Sequence, residues 1–476
     1  MQIAKQPPAL KVFFMTEMWE RFSYYAVQSL LVLYMKGILH FSDSQAYVLF
    51  GTLGALLYIT PVIGGFVADR FIGYKNAVVI GGIALAIGYF LLAIDGRHSF
   101  FFSLALLVAG NGFFKPNVSA AVGDLYEPDD HRRDNGFTIF YMGINVGSLI
   151  GIVLCGFVQN KFGFYPSFFV AALSLVLGVI VFYHGLKRFP DINQKISQKM
   201  SPIKMLTIVV STIACVAVTT LLLRHPDTTN VLLILVAILL VAYIFTYGMR
   251  YDALTRKRLF VCVILSTFAI VFFALYMQMP MSLTLFINRL VDRHIFGFTI
   301  PTSAYWALNG IAIITLTPIM IQIWRFFDKR DRDVHIPLKF VIGIILMGAG
   351  FLELVGAVKL TAPGHMVSSW WLVLSYYTQT AGELSLSPIG LAMIAKLVPD
   401  ELRGMLMGGW FLAIAAATTI AGNIARFASV PKTMTARHAI EGIYTHAFLG
   451  YGVISIGIAL VLLVFAGKLE RMTLAK

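Results

Sequence analysis

The sequence predicts an all-α polytopic membrane protein with two six-helix bundles and an inserted two-helix hairpin, fourteen transmembrane helices in all. Three observations carry that prediction. The 476-residue chain is 58% hydrophobic and only 13% charged, where soluble domains carry roughly 25% charged residues. Its apolar residues gather into fourteen continuous runs, most of them close to the ~20 residues a helix needs to cross the ~30 Å hydrocarbon core. Its Lys and Arg residues divide unequally between the two sides that those runs would define. So few charges cannot clothe a water-facing surface, which excludes a soluble enzyme, and the composition excludes disorder, a coiled coil and a disulfide scaffold. The runs are continuous rather than alternating, which excludes a β-barrel.

Taken in order, the first six runs are 11–38, 45–68, 76–94, 100–122, 136–159 and 164–185. A pair follows at 204–223 and 230–249, then six more at 259–287, 300–324, 337–357, 370–397, 404–427 and 442–467. Turn or charge signals bound most of them, such as Gly73-Tyr74-Lys75, Glu127-Pro128-Asp129-Asp130 and Pro399-Asp400-Glu401. The organisation reads as an N-terminal bundle over 1–190, basic links and a hairpin over 191–258, and a C-terminal bundle over 259–476. The hairpin carries almost no charge between its ends and is expected to face lipid rather than line a pathway. No cleavable signal is expected at the N-terminus, because charges enter the first turns and the apolar run far exceeds a signal core.

The net charge of +14 would suggest nucleic acid in a soluble protein. Here it resolves into orientation. With the N-terminus cytoplasmic, 25 of the Lys and Arg residues fall on the inner side and 10 on the outer. By the positive-inside rule both termini are expected in the cytoplasm, in a bacterial inner membrane, with no nucleic-acid partner. Cys155, Cys215 and Cys262 sit in apolar runs with no ligand spacing and are expected to be small buried hydrophobes. No metal or nucleotide motif appears, so neither a metal cofactor nor ATP drive is expected.

Arg21 and Lys115 fall inside spans, where a charge costs at least ~2.5–3.5 kcal/mol and marks a functional site by default. Glu17, Glu20, Arg21, Tyr24 and Gln28 are spaced by three and four and form one polar stripe on the first helix. At about 1.5 Å per residue, Glu20 lies ~14 Å from Lys11 along that helix. Lys115 precedes Pro116, which frees a backbone carbonyl. Glu383 lies ~20 Å into its span, on a face shared with Tyr376, Gln379 and Ser387. Glu353 is read as interfacial, beside Lys359 near the outer end of its span. Asn145, Tyr141, Gln278 and Asn309 are weaker candidates, more often interhelical hydrogen-bonding groups. Two carboxylates and two cations in one cavity suit a zwitterion such as an amino acid or a short peptide, and the carboxylates can also take up protons.

These residues resemble a family. Glu17-Met18-Trp19-Glu20-Arg21-Phe22-Ser23-Tyr24-Tyr25 is similar to the ExxERFxYY signature of the proton-dependent oligopeptide transporters of the major facilitator superfamily. Phe114-Lys115-Pro116-Asn117, the Phe140–Gly147 segment with Asn145, and Gly382-Glu383-Leu384-Ser385-Leu386-Ser387-Pro388 resemble further motifs of that family. The Gly64–Gly73 segment resembles the superfamily's loop between helices 2 and 3, and bacterial members have two inserted helices between the halves. The resemblance implies the major facilitator fold and import of di- and tripeptides with protons by alternating access. It also implies roles. Arg21 and Lys115 would hold the peptide carboxylate, and Glu383 with Asn145 and Asn309 its amino group. Tyr25, Tyr58, Trp306 and Ser387 would line the pocket. Glu17 and Glu20 would couple protons together with Arg21 and Lys115.

The chain departs from the family at Gln28 and Met277, where many members carry an Arg and a Glu that form a salt bridge closing the outer side. Both partners are missing together, which is coherent, since losing one alone would strand a buried charge at ~3–5 kcal/mol. This gate is expected to close by packing and hydrogen bonding, with proton coupling leaning on the first helix. The competing readings are a sibling carrier of nitrate or another small organic ion, which Glu383 opposes, and a transport-deficient peptide receptor. A membrane-embedded enzyme is disfavoured because most histidines fall in connections. The expected working unit is a single chain in the lipid bilayer, with the proton as coupling ion and no other cofactor.

Overall fold

The predicted apolar runs become helix. The computed structural model describes residues 5–127, 129–198, 201–328 and 334–474, without the side chains of Asp95 and Gly96. Pro128, Lys199, Lys329, Arg330, Arg332 and Lys476, used in the sequence reading, lie outside the described residues. The first helices are α1 (Leu10–Gly37), α2 (Asp43–Val67), α3 (Gly73–Gly123), α4 (Arg133–Phe162) and α5 (Phe164–Leu186), and the short α6 (Pro190–Lys195) follows. The inserted pair is α7 (Pro202–Arg224) and α8 (Pro226–Gly248). The remainder are α9 (Ala253–Tyr276), α10 (Thr284–Leu290), α11 (Ala307–Asp328), α12 (Ile336–Leu360), α13 (Ser369–Leu397), α14 (Asp400–Ile424) and α15 (Arg437–Thr473).

The sequence expects a connection at 95–99, and although helical structure is assigned through all 51 residues of α3, its two apolar segments end at Ile94 and begin again at Arg97. A straight helix of that length would be about 75 Å long, far beyond a bilayer. It is instead two antiparallel arms. A Cβ on Gly88 would meet Leu107 and the Ser103 carbonyl, and one on Gly81 would meet Gly110 and Phe114. These contacts step apart symmetrically about residues 96–97, so the two arms run antiparallel and the expected break between the spans stands. The α3 arms therefore supply two of the spans.

Eleven segments among the described residues are long and apolar enough to span a membrane, one of them joining α2 to the first arm of α3. The long helices that fall short of that test are α1 and α13, which carry Glu17, Glu20, Arg21 and Glu383. Together the set makes the fourteen spans of a multi-pass membrane protein.

The chain divides into two compact units, residues 1–34 with 56–226 and residues 35–55 with 227–476. In the first, α1 lies against α4 along Gly143, Gly147 and Gly151. A Cβ on Gly147 would come within 2.1 Å of the Met18 carbonyl. Close approach through small residues substitutes for the hydrophobic drive that lipid removes. Ser23 adds hydrogen bonds to the Ala171 carbonyl and to Ser174 on α5. In the second unit, α12 meets α13 at Gly343 and Gly382 and meets α15 at Gly348 and Gly452. Residues of the first half of α2 pack there too, Gly51 meeting Thr418 and Gly422 of α14. Two short strand pairs, Val291–Asp292 with Val367–Ser368 and His294–Ile295 with Phe298–Thr299, tie together connections of this unit.

The inserted helices face outward as expected. Only 11% of the apolar window of α8 is buried, against 56% for α12. Cys155 and Cys262 are buried, but Cys215 is exposed, because α7 turns most of its surface away from the protein.

Candidate functional site

In the first unit the α1 stripe closes on itself. Arg21 Nε lies 2.5 Å from Glu20 Oε2 and 3.1 Å from Glu17 Oε1, with all three side chains buried. The guanidinium also stands 4.9 Å from the centre of the Tyr24 ring, and Tyr24 meets Tyr25 edge-on. The cluster is under-bonded for its depth. Glu17 Oε2, Glu20 Oε1 and Arg21 Nη2 are buried without a hydrogen bond among the described residues.

Lys115 reaches the same neighbourhood from the second arm of α3. That arm is pinned to α2 by Asn111 donating to the Leu57 carbonyl and Thr60 donating to the Val108 carbonyl. Gly64 and Gly112 let the backbones touch. Lys115 Nζ stands 5.4 Å from the Tyr58 ring centre and within electrostatic reach of Glu17, Glu20 and Arg21. No ion pair shorter than 4 Å joins it to either carboxylate among the described residues. Two carboxylates and two cations thus share one neutral cluster. Asn145 does not join it by any hydrogen bond described; its amide donates to the Tyr141 carbonyl one turn back on α4.

In the second unit, Asn309 of α11 donates to Glu383 Oε2 at 2.8 Å and to Thr380 Oγ1 at 3.0 Å. Tyr276 of α9 donates to Asn309 Oδ1. Pro388 interrupts α13 a turn beyond. The carboxylate therefore stands in a polar pocket with an amide as its only described donor and no cation in contact. Ser387 is half-buried on the same helix, and Trp306 is half-buried just before α11. Tyr376 and Gln379 are fully buried instead, Gln379 against Gly350 of α12.

Glu353 departs from its interfacial reading. Thr378 of α13 donates to it at 2.8 Å and its other oxygen is buried, so it sits between two helices rather than beside Lys359. About 10 Å of helix separates it from the end of α12, deep enough for a hydroxyl on the facing helix to be its nearest donor.

At the gate positions Gln28 is buried and Met277 half-buried. Gln278, beside Met277, donates to the Ala421 carbonyl of α14 and accepts from Ser282. The sequence reading missed an ion cluster in the same unit. Asp43, at the start of α2, accepts from Arg289 Nη1 at 2.6 Å and Nη2 at 2.9 Å, from Lys36 at 2.7 Å and from the Val430 N–H at 3.0 Å. Arg289 also donates to the Tyr444 hydroxyl. Asp43 and Arg289 bracketed apolar spans and read as ordinary span-end charges, so only their pairing gave them away. Thr380 and Tyr276 were missed as well, although Thr380 lies one helical turn before Glu383.

The chain is similar to known proteins over nearly its whole length. Residues 75–441 match the model of the POT family. The chain is 35% identical over 474 residues to dipeptide and tripeptide permease B of Yersinia enterocolitica, covering 99% of this chain and 96% of that protein. It is 35% identical over 482 residues to dipeptide and tripeptide permease A of Yersinia pestis, covering 100% and 95%. Among solved structures it resembles the peptide transporter POT in complex with sulfate, with a TM-score of 0.85 at 31% identity over 99% and 97% of the two chains. It also resembles tetrameric PepTSo2, with a TM-score of 0.86 at 29% identity over 98% and 99%. With the ExxERFxYY stripe folded into an ion cluster and a fourteen-span fold shared nearly end to end, the chain belongs to the POT family.

Proposed function

We propose that the chain is a proton-coupled symporter that imports di- and tripeptides across a bacterial inner membrane by alternating access of its two six-helix halves. One observation carries the reading: the buried Glu17–Glu20–Arg21 cluster, with Lys115 nearby, is charge-balanced yet short of hydrogen bonds. Such a cluster can exchange internal partners for a substrate carboxylate while a glutamate takes up the proton that keeps the balance. Arg21 and Lys115 would then receive the peptide carboxylate, with Tyr25 and Tyr58 beside them. Glu383, oriented by Asn309, would receive the amino group, with Trp306 and Ser387 lining the pocket. The relatives named as dipeptide and tripeptide permeases support the substrate class.

Both clusters are built within one chain, which supports the monomer as the transport unit. The proton serves as the coupling ion, and no cofactor is required. The split of 25 inner and 10 outer cations supports cytoplasmic termini. The test is accumulation of labelled dialanine in proteoliposomes under an imposed pH gradient. Uptake above the level seen with a protonophore is expected; uptake no greater than that control overturns the reading.

A further inference from the structure

A second cluster of cations lines a cavity that the transport reading does not use. Lys36, Arg289, Lys432 and Arg437 border a space of about 380 Å³ in the second unit, floored by Val430 and Pro431. The carboxylates that pair with these cations are Asp43 and Glu441. Asp43 is shared between Arg289 and Lys36, and Glu441 pairs with Arg437 at 2.8 Å. Arg437 spends its remaining donors on the Gly364 and His365 carbonyls. Among the described residues, Lys432 has a neutral partner alone, the His40 carbonyl, at 2.7 Å. Four cations thus face two carboxylates, and the excess charge gathers on partly exposed side chains around a concave surface. All four are among the cations assigned to the outer side.

We propose that this cavity is an anion-binding vestibule that captures the carboxylates of peptides arriving from outside, favouring those with an acidic side chain. The inference rests on the peptide-import reading and on the orientation that the charge count supports. Lys432 and Arg437 make the first contact. Lys36 and Arg289, held in place by Asp43, add attraction from behind without giving up that partner. Attraction of this kind acts on encounter and fades with salt.

The test compares uptake of Ala-Glu and Ala-Ala by right-side-out membrane vesicles from cells expressing the wild type, Lys432→Gln or Lys432→Arg. In Lys432→Gln, kcat/KM for Ala-Glu is expected to fall about threefold further than for Ala-Ala, a size typical of an exposed charge pair. Its salt dependence should flatten, and Lys432→Arg should restore both. Equal changes for the two peptides, or no change, overturn the proposal. A parallel set in proteoliposomes with and without phosphatidylglycerol separates peptide from lipid headgroup. If the discrimination appears only with the anionic lipid, the vestibule serves lipid and the proposal fails. Failure of the wild type to take up Ala-Ala would instead overturn the underlying import reading.

Discussion

Two buried ion clusters in this protein have similar charges and opposite bonding. Around Asp43, each carboxylate oxygen accepts two hydrogen bonds or ion-pair contacts, from Arg289, Lys36 and the Val430 N–H. Around Arg21, two glutamates crowd one guanidinium edge while polar atoms of all three residues stay unbonded. A saturated cluster has nothing to gain by changing partners and acts as a clamp. An unsaturated one is poised to exchange them. The difference lies in the ratio of donors to carboxylates: one carboxylate draws on two cations at Asp43, whereas two share one guanidinium at Arg21.

The comparison can be broken most sharply at Glu20. Glu20→Gln should reduce proton-driven accumulation to the uncoupled level, a loss of at least about 100-fold by the scale of acid–base steps. Counterflow exchange of labelled for unlabelled dialanine should persist. Accumulation that survives the substitution would show that the helix 1 cluster does not couple protons. Asp43→Asn should act on stability instead, because it leaves Arg289 and Lys36 facing no charge. A loss of about 3–5 kcal/mol is expected from breaking a buried pair, read from denaturant unfolding in detergent. Combining it with Arg289→Gln should recover part of that loss, and strictly additive effects would sink the clamp.

Smaller effects are expected at the second site. Asn309→Ala removes the described donor to Glu383 and should raise KM for dialanine about tenfold, corresponding to ~1–3 kcal/mol for an unsatisfied buried acceptor. An unchanged KM would remove Glu383 from amino-group recognition. Smallest is Arg426→Gln, which breaks an exposed pair with Asp227 at 2.5 Å. It should cost under ~1 kcal/mol and leave uptake kinetics as they are; a larger loss would mean that exposure is a poor guide to the worth of these pairs.

Much of the molecule was legible beforehand for local reasons. Hydropathy reports burial in lipid along the chain, so most spans matched their helices within a few residues, while the 259–287 run divided between α9 and α10 and the 300–324 run began ahead of α11. Helical spacing placed Glu17, Glu20 and Arg21 on one face, and their ion cluster follows almost without help from other elements. Glu383 stood out because a charge at that depth needs a reason. The polar residues at 95–99 marked the turn between the α3 arms correctly, and the misreading fell elsewhere. Glu353 was assigned to Lys359 because that lysine is near in sequence, whereas its donor, Thr378, comes from the facing helix.

By itself, the sequence determined that the chain is a fourteen-span helical membrane protein and which ionisable residues fall inside its apolar runs. Those properties follow from one-dimensional patterns of apolar length and charge, because lipid tests each segment nearly independently. Only the tertiary structure decided which charges meet. Asp43 and Arg289 are 246 residues apart, and Asn309 and Glu383 are 74 apart. Whether a buried carboxylate becomes a clamp or a working group depends on the donors that neighbouring helices deliver to it, and that delivery exists only once the helices have packed.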